Sequence, residues 1–442
     1  MGHIITKLKH LEKSSPESEV ELSSKSEEPT RSDLHTLIGK YQAEGHKIQI
    51  NVLSLDGGGT RGHMSIKVLC QLITEIYLPD IKEFDPDNQE HKKLFVQGQS
   101  EFTDEFDYFV GTSTGGLIAF CLAIKHDLFN IKEIYEDAKR YFKSQWFTYF
   151  GPLDRDKYDP TPIYNKIDEI IGTIKLKNDK RLTAEDATLL DIHNLLNPNC
   201  TINDDTSELH RQYHSKWLEF VDDLSNPSCI QREKVLLITA YNTTTDSMTI
   251  FNTSYAEHWG YRIADVLKAT MAAPTFFRPC TMYKRKKVNN HFERDSNDET
   301  FIDGGVFAND PELAALWVIR MQWKKPVNYR LLSIGTGCYN AKVSVDNWKG
   351  GYLYWLLQQP RGLLVNMLMD STRSLTETVM NNLAKFDNIK RIKFNYKLKE
   401  PMELDDPNFA KVFNNEWEYL KTGDDFNALL YFYKKYIEKK QK

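Results

Sequence analysis

Apolar residues fall along this chain in two rhythms. Residues 48–55 form a β-branched run that stops abruptly at Asp56 and three glycines, which predicts a strand entering a tight turn. From Met64 to Tyr77 the positions Ile66, Leu69, Leu72, Ile73 and Ile76 recur at helical spacing. The same order returns downstream as a short apolar strand over 106–110, a Gly/Thr/Ser turn over 111–115 and an apolar helix over 117–124. Two strand-turn-helix units predict an α/β sheet. Further strands are expected at 235–241, 248–252, 329–334 and 389–396. Residues 151–233 turn polar, with scattered Pro and Asn, and are expected to form helical insertions or a cap over the sheet. Aromatic and charged residues alternate from about Asn408, so 398–442 reads as a C-terminal helical extension lying on the surface.

Composition changes the picture mainly at the N-terminal end. Residues 13–32 are rich in Ser, Glu and Pro and too poor in large apolar groups to offset the entropy of ordering, so 1–46 is expected to be a disordered acidic leader ahead of a domain over 47–397. The formal charge is -5, and the five glutamates of residues 14–30 against Lys25 account for most of it. The nearly neutral remainder excludes a broad nucleic-acid surface. No stretch approaches the twenty or so apolar residues of a membrane span, and the first residues lack the apolar centre of a secretory signal. Six cysteines at 70, 121, 200, 229, 280 and 338 form no CxxC pair, which speaks against a disulfide framework or zinc site. These features predict an intracellular, cytoplasmic protein free to associate peripherally with membranes. The start Met-Gly-His-Ile-Ile-Thr fits the acceptor pattern for N-myristoylation at Gly2, but so short a pattern often arises by chance and an unmodified floppy start is the favoured reading.

The candidate chemistry sits at the turns. A serine hydroxyl must be held clear of its neighbours and beside a base before it attacks. The turn Gly111-Thr112-Ser113-Thr114-Gly115 does this, because small residues on either side, Gly111 and Gly115, let the backbone bend while the next helix presents unpaired N–H groups. The loop Asp56-Gly57-Gly58-Gly59-Thr60-Arg61-Gly62 supplies the other half of an acyl-transfer site. Consecutive glycines let backbone N–H groups converge where negative charge collects, so Gly57, Gly58 and Gly59 form a candidate oxyanion hole, chiefly through Gly58 and Gly59. Arg61 is grouped with that hole as a residue that supports the loop or attracts a phosphate, and a plain surface arginine is the alternative.

The same loop has rival meanings. Gly57-x-Gly59-x-x-Gly62 after a strand matches the dinucleotide fingerprint, and Asp-Gly-Gly-Gly-Thr also grips phosphates in sugar-kinase-like folds. Neither explains Ser113 or Asp303-Gly304-Gly305. Asp303 follows Phe301-Ile302, as a carboxylate at a strand end would. An ordered Ser-Asp-His triad needs a histidine after the acid, yet the last histidine is His291. If Asp303 is the acid, it acts directly as general base on Ser113.

Together these elements resemble the patatin-like phospholipases, most closely the calcium-independent phospholipase A2 branch, over roughly residues 48–396. Softer matches lie at 269–277, Asn309-Asp310-Pro311 and 332–337. The resemblance implies an α/β fold of three layers, α/β/α, with a central, mostly parallel sheet plus helical insertions, and a Ser113–Asp303 dyad with Gly304 and Gly305 on the dyad loop. It implies a phospholipase acting through an acyl-enzyme on glycerophospholipid at a membrane surface, without cofactor or metal. No D-x-[DN]-x-[DN]-G calcium loop occurs, and His210 and His214, one helical turn apart, lack the glutamate of a zinc-protease motif. The apolar residues of 348–357, with Leu363, Leu364, Val365, Met367, Leu368 and Met369, are candidates for a lipid entrance or for buried helices. Lys284-Arg285-Lys286-Lys287 suits either anionic headgroups or a solvated loop. A catalytically silent lipid-binding or regulatory protein of the same fold is the alternative. Sequence leaves headgroup, acyl position and oligomeric state open.

Overall fold

The run after the leader becomes strand β1 (Gln49–Leu55), whose residues are buried on both faces. A strand apolar on both sides belongs inside a parallel sheet that helices cover. The computed structural model describes residues 49–81, 84–144, 157–176, 181–198, 233–288, 291–323, 327–338, 363–386, 388–399 and 402–438. The leader with Gly2, the pair His210 and His214 and the aromatic run 348–357 lie outside the described residues.

The remaining strands are β2 (Tyr108–Thr112), β3 (Lys143–Ser144), β4 (Tyr158–Asp159), β5 (Val235–Asn242), β6 (Ser247–Asn252), β7 (Cys280–Met282), β8 (Arg285–Val288), β9 (His291–Arg294), β10 (Glu299–Asp303), β11 (Asn328–Ile334) and β12 (Ile389–Phe394). The main sheet runs β12-β11-β1-β2-β5-β10-β7, with β6 also paired to β5. Pairing is parallel from β12 through β5 and antiparallel beyond it. β3 with β4, and β8 with β9, make separate ribbons.

Alternate residues of the sheet feed two cores. Leu53, Leu55, Phe109, Leu236, Ile238, Leu332 and Ile334 point to one face, and Ile50, Val52, Tyr108, Val110, Leu237 and Leu331 to the other. The first face is covered by a thick layer of helices. Among them, Thr161–Gly172 buries Ile163, Ile167, Ile170 and Ile171 at helical spacing, each contributing roughly 1.5–3 kcal/mol relative to exposure. The second face carries a thinner layer, from Ala315 and Ile319 of Glu312–Gln322 and Met380 of Leu363–Leu383. The result is the expected three-layer α/β/α arrangement.

Two stretches behave differently from a surface cap or tail. The described part of 151–233 sends helices Thr161–Gly172 and Leu189–Leu196 into the main core, the latter closed by a capping box between Thr188 and Asp191. In the C-terminal segment, Phe409, Phe413, Trp417, Phe426 and Tyr433 are buried in that same core. Its end is tied to β1 and β11, because the Asn51 side chain donates to the Ile437 carbonyl and the Arg330 guanidinium to that of Tyr436. The helix Gln89–Asp104, whose cap Asn88 accepts from the Glu90 and His91 N–H groups, and the ribbon β8–β9 have no counterpart in the sequence pattern. In that ribbon region Lys284 lies 3.7 Å from Glu257 and Lys286 3.4 Å from Asp295, so these basic groups face acids of their own surface.

Candidate active site

The sheet brings Ser113 and Asp303 together by an end-to-end meeting of strands. β5 carries β6 along one edge, and along its other edge β2 pairs up to Thr112↔Thr239, after which β10 takes over at Asp303↔Ala240. β2 runs with β5 and β10 against it, so their C-terminal ends converge on one step of β5. Thr239 clamps the junction. Its hydroxyl shares a 2.7 Å hydrogen bond with that of Thr112, which also donates to the Ala308 carbonyl at 2.6 Å.

Ser113 leaves β2 at φ 53 and ψ -126, a backbone region that costs a non-glycine residue about 1–3 kcal/mol. It stands at the cap of helix Thr114–Ala123, where a serine hydroxyl ordinarily accepts from the first turn, but it makes no such bond. The hydroxyl is thereby left for other work. The bend is fixed by the Ser113 N–H, which donates to Thr270 Oγ1 at 2.8 Å, and by Thr114, whose hydroxyl donates to Tyr135 at 2.5 Å. Gly115 allows the helix to cross the end of β1, since a Cβ there would lie 2.3 Å from the Leu55 carbonyl oxygen. Gly111, on β2, sits against the Gly115 carbonyl in the same crossing.

Asp303 is buried, and its Oδ1 accepts from the Gly305 N–H at 2.7 Å. Its own N–H donates to the Ala272 carbonyl, inside the softer match at 269–277. Burial pushes the carboxyl up to about 7, against a smaller downward pull from the Ser113 hydroxyl and the Gly305 N–H. The serine therefore faces the carboxylate, yet the pair stops short of an aligned hydrogen bond, and Oδ2 has no such partner. Hydrogen bonds of this kind are often loose before substrate arrives. Gly304 packs on Thr239 and Gly305 opens the short helix Gly305–Ala308. Five described histidines have neighbours elsewhere: His63 pairs with Asn414, His91 accepts from the Asp85 N–H, His126 meets the Thr173 hydroxyl, His193 lies beside Glu233 and His258 accepts from the Asn252 N–H.

The glycine loop divides into donors and supports. The Gly57 N–H is committed to the Asn309 carbonyl at 2.9 Å, and the Gly57 carbonyl accepts from Thr336 Oγ1 at 2.7 Å, so Gly57 is a fixed floor rather than a free donor. The softer matches thus fall on the residues that hold this floor. The Gly58 and Gly59 N–H groups make no hydrogen bond among the described residues, and neither does that of Thr114 at the positive end of its helix. Gly59 requires glycine, with φ 57 and its Cα so close to the Leu404 carbonyl that a Cβ would lie 2.0 Å from the oxygen. Arg61 is buried and sends Nε to the Gly58 carbonyl at 3.5 Å; burial lowers its pKa to about 10. That contact fits support of the loop.

Beneath the loop lies a buried charge network that the sequence did not announce. Lys393 Nζ donates to Asp56 Oδ1 at 2.9 Å and Asp310 Oδ2 at 2.6 Å and lies 3.4 Å from Glu312 Oε1, while Arg391 grips Glu312 with two nitrogens. Three carboxyls face two cations. Burial and Asp310 raise the Asp56 pKa, whereas Lys393 and Arg391 hold Glu312 down despite burial. The ammonium fills the point where the acids converge. Among the described residues no His, Cys, Asp and Glu group is arranged to hold a metal ion, and the described cysteines are free.

A sequence profile described as patatin-like phospholipase matches residues 53–316. Patatin-like protein 4 of Arabidopsis thaliana is 26% identical over 393 residues, covering 81% of this chain and 79% of that protein. The cGAMP-activated phospholipase of Vibrio cholerae is 24% identical over 324 residues, 70% of each. Human calcium-independent phospholipase A2-gamma is 21% identical over 392 residues, 84% of this chain but 38% of that protein.

Proposed function

This chain belongs to the patatin-like phospholipase family, and on that premise we propose that it hydrolyses the acyl esters of glycerophospholipids with Ser113 as nucleophile and Asp303 as its sole base. Asp303 takes the hydroxyl proton as Ser113 Oγ bonds to the ester carbonyl carbon. The carbonyl electron pair moves to oxygen, where the Gly58, Gly59 and Thr114 N–H groups receive it. Collapse breaks the ester C–O bond, and the lysophospholipid alkoxide leaves with the proton from Asp303. Asp303 then deprotonates a water, which attacks the acyl-serine; collapse frees the fatty acid, and Ser113 recovers its proton from Asp303. Such a substrate places the reaction at a lipid surface, and no helix among the described residues is long and apolar enough to cross a membrane, which fits peripheral attachment.

The observation that carries this reading is the buried Asp303 carboxyl, brought beside Ser113 where β2 and β10 meet on β5, pushed up to about 7 by burial and left with one unpartnered oxygen. Such a group is a stronger base than an exposed aspartate and must be ionised to act. Hydrolysis of a short-chain ester should therefore rise through a single ionisation near pH 7 and level off above it. A fluorophosphonate, losing fluoride to the attacking hydroxyl, should label Ser113 with the same pH dependence. A rate that stays flat from about pH 5 to about pH 9, or a label on another residue, defeats the assignment.

The oxyanion reading makes a separate prediction. Gly59→Ala must push the loop off Leu404, so kcat should fall about 10²–10³-fold, the usual cost of a lost oxyanion donor. Steady-state kinetics on a soluble ester checks this, and an unchanged kcat removes Gly59 from the hole.

A further inference from the structure

A small apolar cluster stands apart from the two cores. It consists of Tyr158, Phe276, Phe277, Met369 and Leu404, with Phe142 and Ala273 packed against it. It borders the site, because a Cβ on Gly305 would lie 2.6 Å from Met369 Cε and one on Gly59 would meet Leu404. It is also fastened at one point. Asp405, 7% exposed, accepts from both Lys157 Nζ and the Tyr158 hydroxyl. The Lys157 ammonium lies 5.1 Å from the centre of the Phe276 ring, and the Tyr158 and Phe276 rings lie parallel with centres 6.3 Å apart.

The residues on either side of Asp405 grip the glycine loop. The Leu404 carbonyl accepts from the Thr60 N–H at 2.7 Å and from Thr60 Oγ1 at 3.2 Å, and the Asp406 carbonyl accepts from the same hydroxyl at 3.0 Å. Residues 404–406 therefore form a strap. Its backbone presses on Gly59 and Thr60; of its two carboxylates, Asp405 is held by Lys157 and Tyr158, while Asp406 accepts from the Asn408 N–H.

We propose that Asp405 is a positioning residue for hydrolysis: by holding the strap against Thr60 it sets the aim of the Gly58 and Gly59 N–H groups and ties it to the apolar cluster that borders the site. The inference rests on the reading of Ser113, Asp303 and the glycine loop given above. A charged acceptor suits the task, since hydrogen bonds to an ionised oxygen are about twice as strong as neutral ones. A small displacement of the strap moves the donors directly, and a misplacement of about 1 Å can cost around a hundredfold in rate.

The test uses the full chain, a short-chain ester and a pair of inhibitors. A trifluoromethyl ketone adds Ser113 Oγ to its carbonyl carbon and so forms an oxyanion; the matching secondary alcohol fills the same space without one. Asp405→Ala should lower kcat about 10–100-fold with little change in KM, and weaken the ketone by the same factor while the alcohol binds as before. Tyr158→Phe, which deletes one hydroxyl, should show a smaller loss of the same kind, and the double variant should be no worse than Asp405→Ala alone. Asp405→Glu should restore part of the rate. Unchanged kcat in Asp405→Ala overturns the inference, and so does equal weakening of ketone and alcohol, which would mean a merely structural contact. A wild-type protein that hydrolyses no ester defeats the catalytic reading itself, whereas an active wild type with an indifferent Asp405 defeats only the strap.

Discussion

Asp303→Asn is expected to lower kcat for ester hydrolysis by about 10⁴-fold and, in the same protein, to raise the melting temperature at about pH 8. The first effect follows from removing the base; Ser113→Ala, which removes the nucleophile, should cost at least as much. The second follows from burial. An amide keeps the bond from the Gly305 N–H to Oδ1 and offers Ser113 a neutral neighbour. The wild-type carboxyl, raised from 3.8 to about 7, holds a proton in the folded state that the unfolded chain has already released within that window. Stability therefore falls as pH rises through it, and the full cost, on the order of a few kcal/mol, is borne above about pH 7. Below about pH 3 both states are protonated and the advantage of Asn vanishes. Melting curves of the two proteins at about pH 5 and about pH 8, alongside kcat, test the pair of claims. An inactive variant that melts lower at the alkaline end would show that the carboxylate stabilises the fold, contrary to the geometry.

Lys393→Met should destabilise the fold by ~3–5 kcal/mol, the usual consequence of leaving buried charge without its partner. Of the three acids, only Glu312 would then keep a hydrogen-bonded cation among the described residues, in Arg391. The deficit has a direction in pH. Without the ammonium the Asp56 and Asp310 pKa values rise further above their unfolded values and Glu312 loses part of what holds it down, so the variant's handicap grows as pH increases and shrinks once the acids are protonated. Urea unfolding at about pH 5 and about pH 8 measures it, and equal midpoints for variant and wild type at both values would show that the network contributes nothing. Because Asp56 leads directly into Gly57, the loss should also appear in kcat.

Local order made part of this molecule readable. The first two strand-turn-helix units consist of neighbours in sequence, so hydrophobic rhythm, glycine turn and helix spacing located β1, β2 and the helices after them, apart from shifts of one to three residues at their ends. Ser113, Asp303 and the glycine loop were singled out by short motifs, and the single-acid reading of Asp303 came from the lack of any histidine after His291. The unread parts depend on distant pairing. β10 is short and takes its place through β5, β7 takes its place only through β10, and Gln89–Asp104 buries few large apolar residues beyond Phe95 and Phe102. Lys393 resembles any polar residue of an edge strand, since its acidic partners come from residues 56, 310 and 312. Leu404 and Asp405 carry no motif at all. They act through a carbonyl and a single carboxylate, which sequence pattern does not register.

The meeting of β2 and β10 on one edge of β5 has a consequence for how such an enzyme diversifies. The gap between attacking oxygen and carboxylate is dictated by the rungs of a peptide ladder, so the long run of chain joining the two strands does not set it. Lineages, or protein engineers, can therefore lengthen, shorten or exchange that intervening chain to suit new lipids without retuning the reacting pair, as long as the Thr239–Ala240 step is left alone.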